Sequence, residues 1–119
     1  MKRMAVIAAL ALAACSGQTK PEDAPRAEVD SVIRDYWAAG VRHIVALRGD
    51  MPEPGQPYAP HPEGYASTAE LVSGIRRIAP FEVSVSAYPE KHPDSPSAET
   101  DIAILKAKVD AGATRAITQ

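Results

Sequence analysis

A chain of 119 residues has room for one domain or part of one. It is 45% hydrophobic and 24% charged with a net charge of −2, and it holds no basic run, which excludes the clustered Lys and Arg by which nucleic-acid binders meet phosphates. A single cysteine, Cys15, excludes an intrachain disulfide and a cysteine-based zinc site, and the lack of asparagine leaves no N-glycosylation acceptor.

Lys2 and Arg3 precede an apolar run from Met4 to Ala14, followed by "LAACSG". Residues 1–15 therefore have the layout of a secretory signal, and Leu12-Ala13-Ala14-Cys15 fits a lipoprotein signal in which Cys15 is lipidated. The same run also reads as an incidental Ala-rich buried segment. It is too short to span a membrane, which takes about 20 apolar residues. Residues 16–24 form a polar linker. From residue 25 the pattern becomes regular. Val29, Val32, Ile33, Tyr36 and Trp37 recur at helical spacing, with Pro25 suited to the first turn and Gly40 to a left-handed stop. "HIVAL" is a short apolar strand of the kind buried on both faces. Gly49 to Gly64 carries five prolines and three glycines and must be a long loop.

Ser67-Thr68-Ala69-Glu70 is a capping-box pattern opening a second helix, with Leu71, Val72, Ile75 and Ile78 as its apolar stripe. Gly74 interrupts that helix at some cost. In "FEVSVSA", Phe81, Val83, Val85 and Ala87 alternate at period two, which predicts a strand. "YPEKHPDSP" is a second proline-broken loop. Ser97 caps a third helix with the stripe Ile102, Leu105 and Val109, closed by Gly112, and "RAIT" gives a third strand. Single helices between strands imply parallel pairing with right-handed crossovers. Three strands do not close a barrel, which takes eight, so the expected fold is a slice of a larger α/β protein.

Polar residues collect just after each strand: Arg48-Gly49-Asp50, then Tyr88-Pro89-Glu90 with His92, then Thr118-Gln119. In parallel α/β folds those strand ends share the ligand-binding face, so the three clusters should converge. Each has a plainer reading. Arg48 and Asp50 suit a surface ion pair of little energetic weight, His92 a solvated loop histidine, and Tyr88 a packing anchor. His43 stands at a strand start and His61 in the proline loop, and no two histidines have ligand spacing, so no metal site is expected. Arg48-Gly49-Asp50 is also an adhesion tripeptide, but here it continues a buried strand.

"RDYWAAGVRHIVALRGD", "SVSAYPEKHP" and "LKAKVDAGATRAITQ" together resemble the methylenetetrahydrofolate reductase family, over about residues 25–119. The resemblance implies part of a FAD-dependent (β/α)₈ TIM barrel. Its members use NADH or NADPH to reduce 5,10-methylenetetrahydrofolate to 5-methyltetrahydrofolate for methionine synthesis, in the cytoplasm, as homo-oligomers when full-length. It further implies that Asp50 lies beside the flavin and the folate as an electrostatic catalytic residue. Arg48, Gly49, Ala66, Tyr88, His92, Asp101 and Lys108 match FAD contacts, and Gln119 a folate or nicotinamide contact. Ile104 and Ala107 depart from the family, standing where members often carry Asn and Arg. The family's catalytic glutamate is expected upstream of residue 1, and "ALALAACSGQ" offers no match for the histidine that meets FAD on the next strand. The chain alone is therefore expected to be inactive. The competing readings are a lipid-anchored α/β binding module exported through Cys15 and, more remotely, an adhesion protein.

Overall fold

The computed structural model describes residues 7–9, 24–49, 53 and 55–118. Asp50, Gln119 and Cys15, each singled out by the sequence, lie outside the described residues.

The elements run β1 (Ile7–Ala9), α1 (Arg26–Ala38), β2 (His43–Ala46), α2 (Thr68–Ile78), β3 (Glu82–Ser86), α3 (Ala98–Asp110) and β4 (Arg115–Ile117). The strands form one parallel sheet in the order β1-β2-β3-β4. Parallel strands in sequence order, with a helical crossover between successive strands, are the arrangement expected of part of a (β/α)₈ barrel. The sheet has one strand more than the alternating patterns predict. β1 lies inside the apolar segment that reads as a signal, and pairs Ile7 with His43, Ala8 with Ile44 and Ala9 with Val45. Three residues from an Ala-rich run carry no period-two signature, so pairing alone identifies this strand.

Register sorts the side chains by face. Ile44 lies opposite Val83 and Ala46 opposite Val85, and all four are fully buried with Ile33, Val72, Ile75 and Phe81. Here the apolar stripes of α1 and α2 meet the sheet. His43 and Ser84 lie on the opposite face, buried together, with 2.8 Å between His43 Nε2 and Ser84 Oγ. Trp37 closes one end of the core, its ring edge-on to Phe81 at 5.0 Å and its other face under the Arg42 guanidinium at 3.7 Å.

The helix boundaries follow the caps in the sequence. Gly40 takes φ +93 beyond α1, where an L side chain would be strained. Ser67 Oγ accepts the Glu70 N–H at 3.2 Å. The Glu70 carboxylate accepts from the Ala66 N–H at 3.0 Å, one residue earlier than a capping box requires, and from Arg26 at 2.7 Å. Gly74, which looked only costly, has a packing reason. A Cβ there would collide with the Tyr65 hydroxyl oxygen, and that hydroxyl donates to Asp30 Oδ1 at 2.5 Å.

One expected stripe is corrected. Ile102 and Val109 are 68% and 53% exposed, and the inward line of α3 is instead Asp101, Leu105 and buried Lys108. These positions are spaced i, i+4, i+7, one face of the helix. α3 packs along α2, and among the described residues no helix covers its other flank, so the larger aliphatics there stay in solvent. β4 is likewise exposed along its length. Among the described residues no helix is long and apolar enough to cross a membrane.

Candidate functional site

The strand ends place the site. β2 stops at Ala46, and Leu47, Arg48 and Gly49 continue it onto the C-terminal face of the sheet. The Arg48 guanidinium lies 4.6 Å from the Tyr58 ring centroid, and its Nη2 donates to Asp94 Oδ2 at 2.9 Å. Arg48 therefore joins the loop after β2 to the loop after β3. That hydrogen bond is the main reason the Asp94 carboxyl titrates below its usual range.

The loop from Tyr88 to Ser95 is built on its own backbone. Lys91 takes φ +73, allowing the turn in which its N–H reaches Tyr88 O at 3.3 Å. Lys91 Nζ donates to Ser95 O at 2.7 Å, and the Ser95 N–H to His92 O at 2.9 Å. The rings of Tyr88 and His92 meet edge to face at 4.5 Å. His92 Nδ1 accepts the Asp94 N–H at 3.0 Å, so the neutral ring carries its proton on Nε2. The His92 N–H in turn donates to Asp101 Oδ2 at 2.8 Å, tying the loop to the first turn of α3.

Lys108 comes from the other end of α3's inward line. Its Nζ donates to Ser86 O at 3.0 Å and Ser86 Oγ at 3.3 Å, at the last residue of β3. Burial pushes the Lys108 pKa down, Asp101 opposes that shift, and the charge of Arg48 adds to it. Lys108 thus feels the charge of Asp101 on its own helix and of Arg48 beyond the end of β2.

A cleft of about 30 Å³ lies between β2's tail and the N-terminus of α2, lined in part by Leu47, Arg48, Gly49, Tyr58, Ser67 and Thr68. Ala66 is exposed just before Ser67, with its own N–H committed to Glu70. The convergence expected for the first two clusters is present, joined by Asp101 and Lys108, whereas Asp50 and Gln119 lie outside the described residues. Asp94, Ser86 and Tyr58 are participants that sequence reasoning passed over. Asp94 and Tyr58 sit in proline-broken loops without periodicity, and Ser86 reads as an ordinary alternating strand position. Among the described residues no group of three or more His, Cys, Asp or Glu is placed to hold a metal ion.

The ends of β2 and β3 thus carry two cations, Arg48 and Lys108, and the loop after β3 a Tyr–His ring pair. The methylenetetrahydrofolate reductase family model matches residues 5–119. The 5,10-methylenetetrahydrofolate reductase of Salmonella typhimurium is 55% identical over 97 residues, covering 82% of this chain and 31% of that protein. That of Escherichia coli K12 is 54% identical over the same length and shares. The Arabidopsis thaliana protein named methylenetetrahydrofolate reductase (NADH) 1 is 34% identical over 106 residues, 80% of this chain and 18% of its own. The chain spans about a third of the length of the bacterial relatives it matches. With the parallel βα architecture, the strand-end cluster and a family match over nearly its whole length, this chain belongs to the methylenetetrahydrofolate reductase family.

Proposed function

We propose that this chain carries the flavin-facing part of a FAD-dependent reductase that converts 5,10-methylenetetrahydrofolate to 5-methyltetrahydrofolate. The observation that carries the reading is the Arg48–Asp94 bond, which joins the end of β2 to the loop bearing the Tyr88–His92 pair, with buried Lys108 held on Ser86 at the end of β3. The donor set fits FAD. Arg48 and Lys108 suit its diphosphate, Gly49 lets backbone approach closely, and the exposed Ala66 offers a small surface at the entrance to α2. Tyr88 and His92 provide ring edges for the flavin side, and Asp101 holds both the His92 backbone and the charge balance of Lys108.

A bound FAD would supply hydride transfer from NADH or NADPH to the folate. The chain's own residues would bind, orient and bias charge. Asp50, one residue beyond Gly49, would hold a carboxylate where positive charge develops on the folate, favouring that charge. Gln119 would offer its amide to the folate or the nicotinamide. Ile104 and Ala107, both exposed on α3, would contribute no polar contact, so binding would lean on Arg48 and Lys108. The described sheet is open, with four strands, so turnover would require the further strands of a closed barrel, and this chain by itself is expected to bind without catalysing. Homo-oligomer formation belongs to the full-length reading.

Placement in the cytoplasm goes with this function. The arrangement of β1 supports it, because cleavage before Cys15 would remove Ile7–Ala9 from the sheet. Labelling of Cys15 by palmitate in cells would instead establish the lipoprotein reading.

The test is a fluorescence titration of the chain with FAD, FMN and riboflavin. FAD should bind at least about tenfold more tightly than riboflavin, since each charge-assisted phosphate contact is worth about 1.5–3 kcal/mol, and added salt should narrow the gap. Equal affinity for all three, or none for FAD, would overturn the reading.

A further inference from the structure

Arg48 stands where the proposed diphosphate would bind, yet its guanidinium is already engaged by Asp94 at 2.9 Å. A carboxylate offers a guanidinium the same acceptor oxygens as the edge of a phosphate. Asp94 therefore holds the place that an anionic ligand group would take. The contact is weak enough to give way. The Asp94 side chain is 64% exposed and Arg48 33%, and such solvent-screened pairs contribute little.

The loop is arranged so that the carboxylate can leave without the backbone following. The Asp94 N–H rests on His92 Nδ1, the Ser95 N–H on His92 O, and the His92 N–H on Asp101. None of these bonds uses the Asp94 carboxylate. Rotation of one side chain would free Arg48 while the Tyr88–His92 pair stays in place. Tyr58, stacked on the guanidinium, would keep Arg48 in the site during the exchange.

We propose that Asp94 is a resident anion that competes with ligand phosphate for Arg48, and so sets the affinity and salt dependence of the nucleotide end of the site. This rests on the reading of Arg48 as a diphosphate contact. It adds a residue and a direction: removing a side chain that touches the site strengthens binding.

The experiment is calorimetric titration of the full chain with ADP at low salt, for wild type, Asp94→Asn, Arg48→Gln and the double variant. Asp94→Asn is isosteric at an exposed position, and circular dichroism checks that each variant keeps its fold. Asp94→Asn should tighten ADP binding about two- to fivefold, the gain should shrink as salt rises, and it should vanish in the Arg48→Gln background. If Arg48→Gln weakens binding while Asp94→Asn leaves it unchanged or weaker, competition is overturned and the diphosphate reading survives. A gain from Asp94→Asn that persists without Arg48 also overturns it. If Arg48→Gln leaves ADP affinity unchanged, or no variant binds ADP, the diphosphate reading itself fails and the competition with it.

Discussion

At the level of single residues, Lys108 is where stability and the proposed binding role pull apart. Its ammonium is buried and its pKa is pushed below the ordinary 10.5, first by burial. A base whose folded-state pKa is lowered costs the fold most where it must carry charge, below that folded value. The cost is relieved as pH rises through the folded value toward 10.5. Replacing a buried charge with an apolar side chain of similar size is often neutral or stabilising. Lys108→Met should therefore match or exceed wild-type thermal stability at pH 7, with the difference shrinking as pH approaches 10.5. Thermal melts across that range check it, and a large loss of stability in Lys108→Met at neutral pH would contradict it. Tyr65 gives the opposite slope. Burial and the bond to Asp30 raise its pKa to about 12, so its contribution is complete below pH 10 and is lost between 10 and about 12. Tyr65→Phe should cost about 1.5–3 kcal/mol, the range for a hydrogen bond to a charged group, and should flatten the alkaline limb of the melting curve.

Elements were legible where one surface decides them. The Ser67 and Ser97 caps, the Gly40 stop and the alternating strand β3 are local chemistry, and all form where the pattern places them. α3 was harder. Its aliphatics Ile102 and Val109 define a stripe by hydrophobicity, but tertiary contact with α2 and the sheet selects Asp101, Leu105 and Lys108. A buried lysine is chosen by what lies opposite it, here Ser86, and no helical period carries that information. The same holds for Gly74. Propensity alone favours alanine there by about 1 kcal/mol, yet a Cβ would collide with the Tyr65 ring and hydroxyl. Gly74→Ala should destabilise by about 1–3 kcal/mol. In the Tyr65→Ala background the same change should become neutral or stabilising. Chemical denaturation of the four variants measures this coupling, and equal effects in both backgrounds would show that Tyr65 is not the obstacle.

For the whole molecule, the strand-end logic of parallel α/β folds brought Arg48 and the Tyr88–His92 loop to one face, as the order of elements required. Family resemblance, rather than period or spacing, pointed to Asp101 and Lys108. Asp94 was beyond reach because it acts across two loops that have no sequence signature. β1 was hidden by composition: an apolar N-terminal run reads as a signal whether or not it pairs, and its register with β2 is a long-range fact. Deleting residues 1–10 should therefore lower the melting temperature by exposing the edge of β2, and an unchanged melt would show that the segment is dispensable to the fold. The open sheet also leaves Ile117 exposed on β4.

The proposed site uses the cations at the strand ends to hold the diphosphate of FAD. Fluorescence titration of FAD into the chain and into Arg48→Gln and Lys108→Met, at low and high salt, tests it most directly. Each substitution should weaken FAD binding about tenfold or more while leaving riboflavin affinity unchanged. Binding of FAD that is indifferent to both substitutions would show that these cations do not hold the diphosphate.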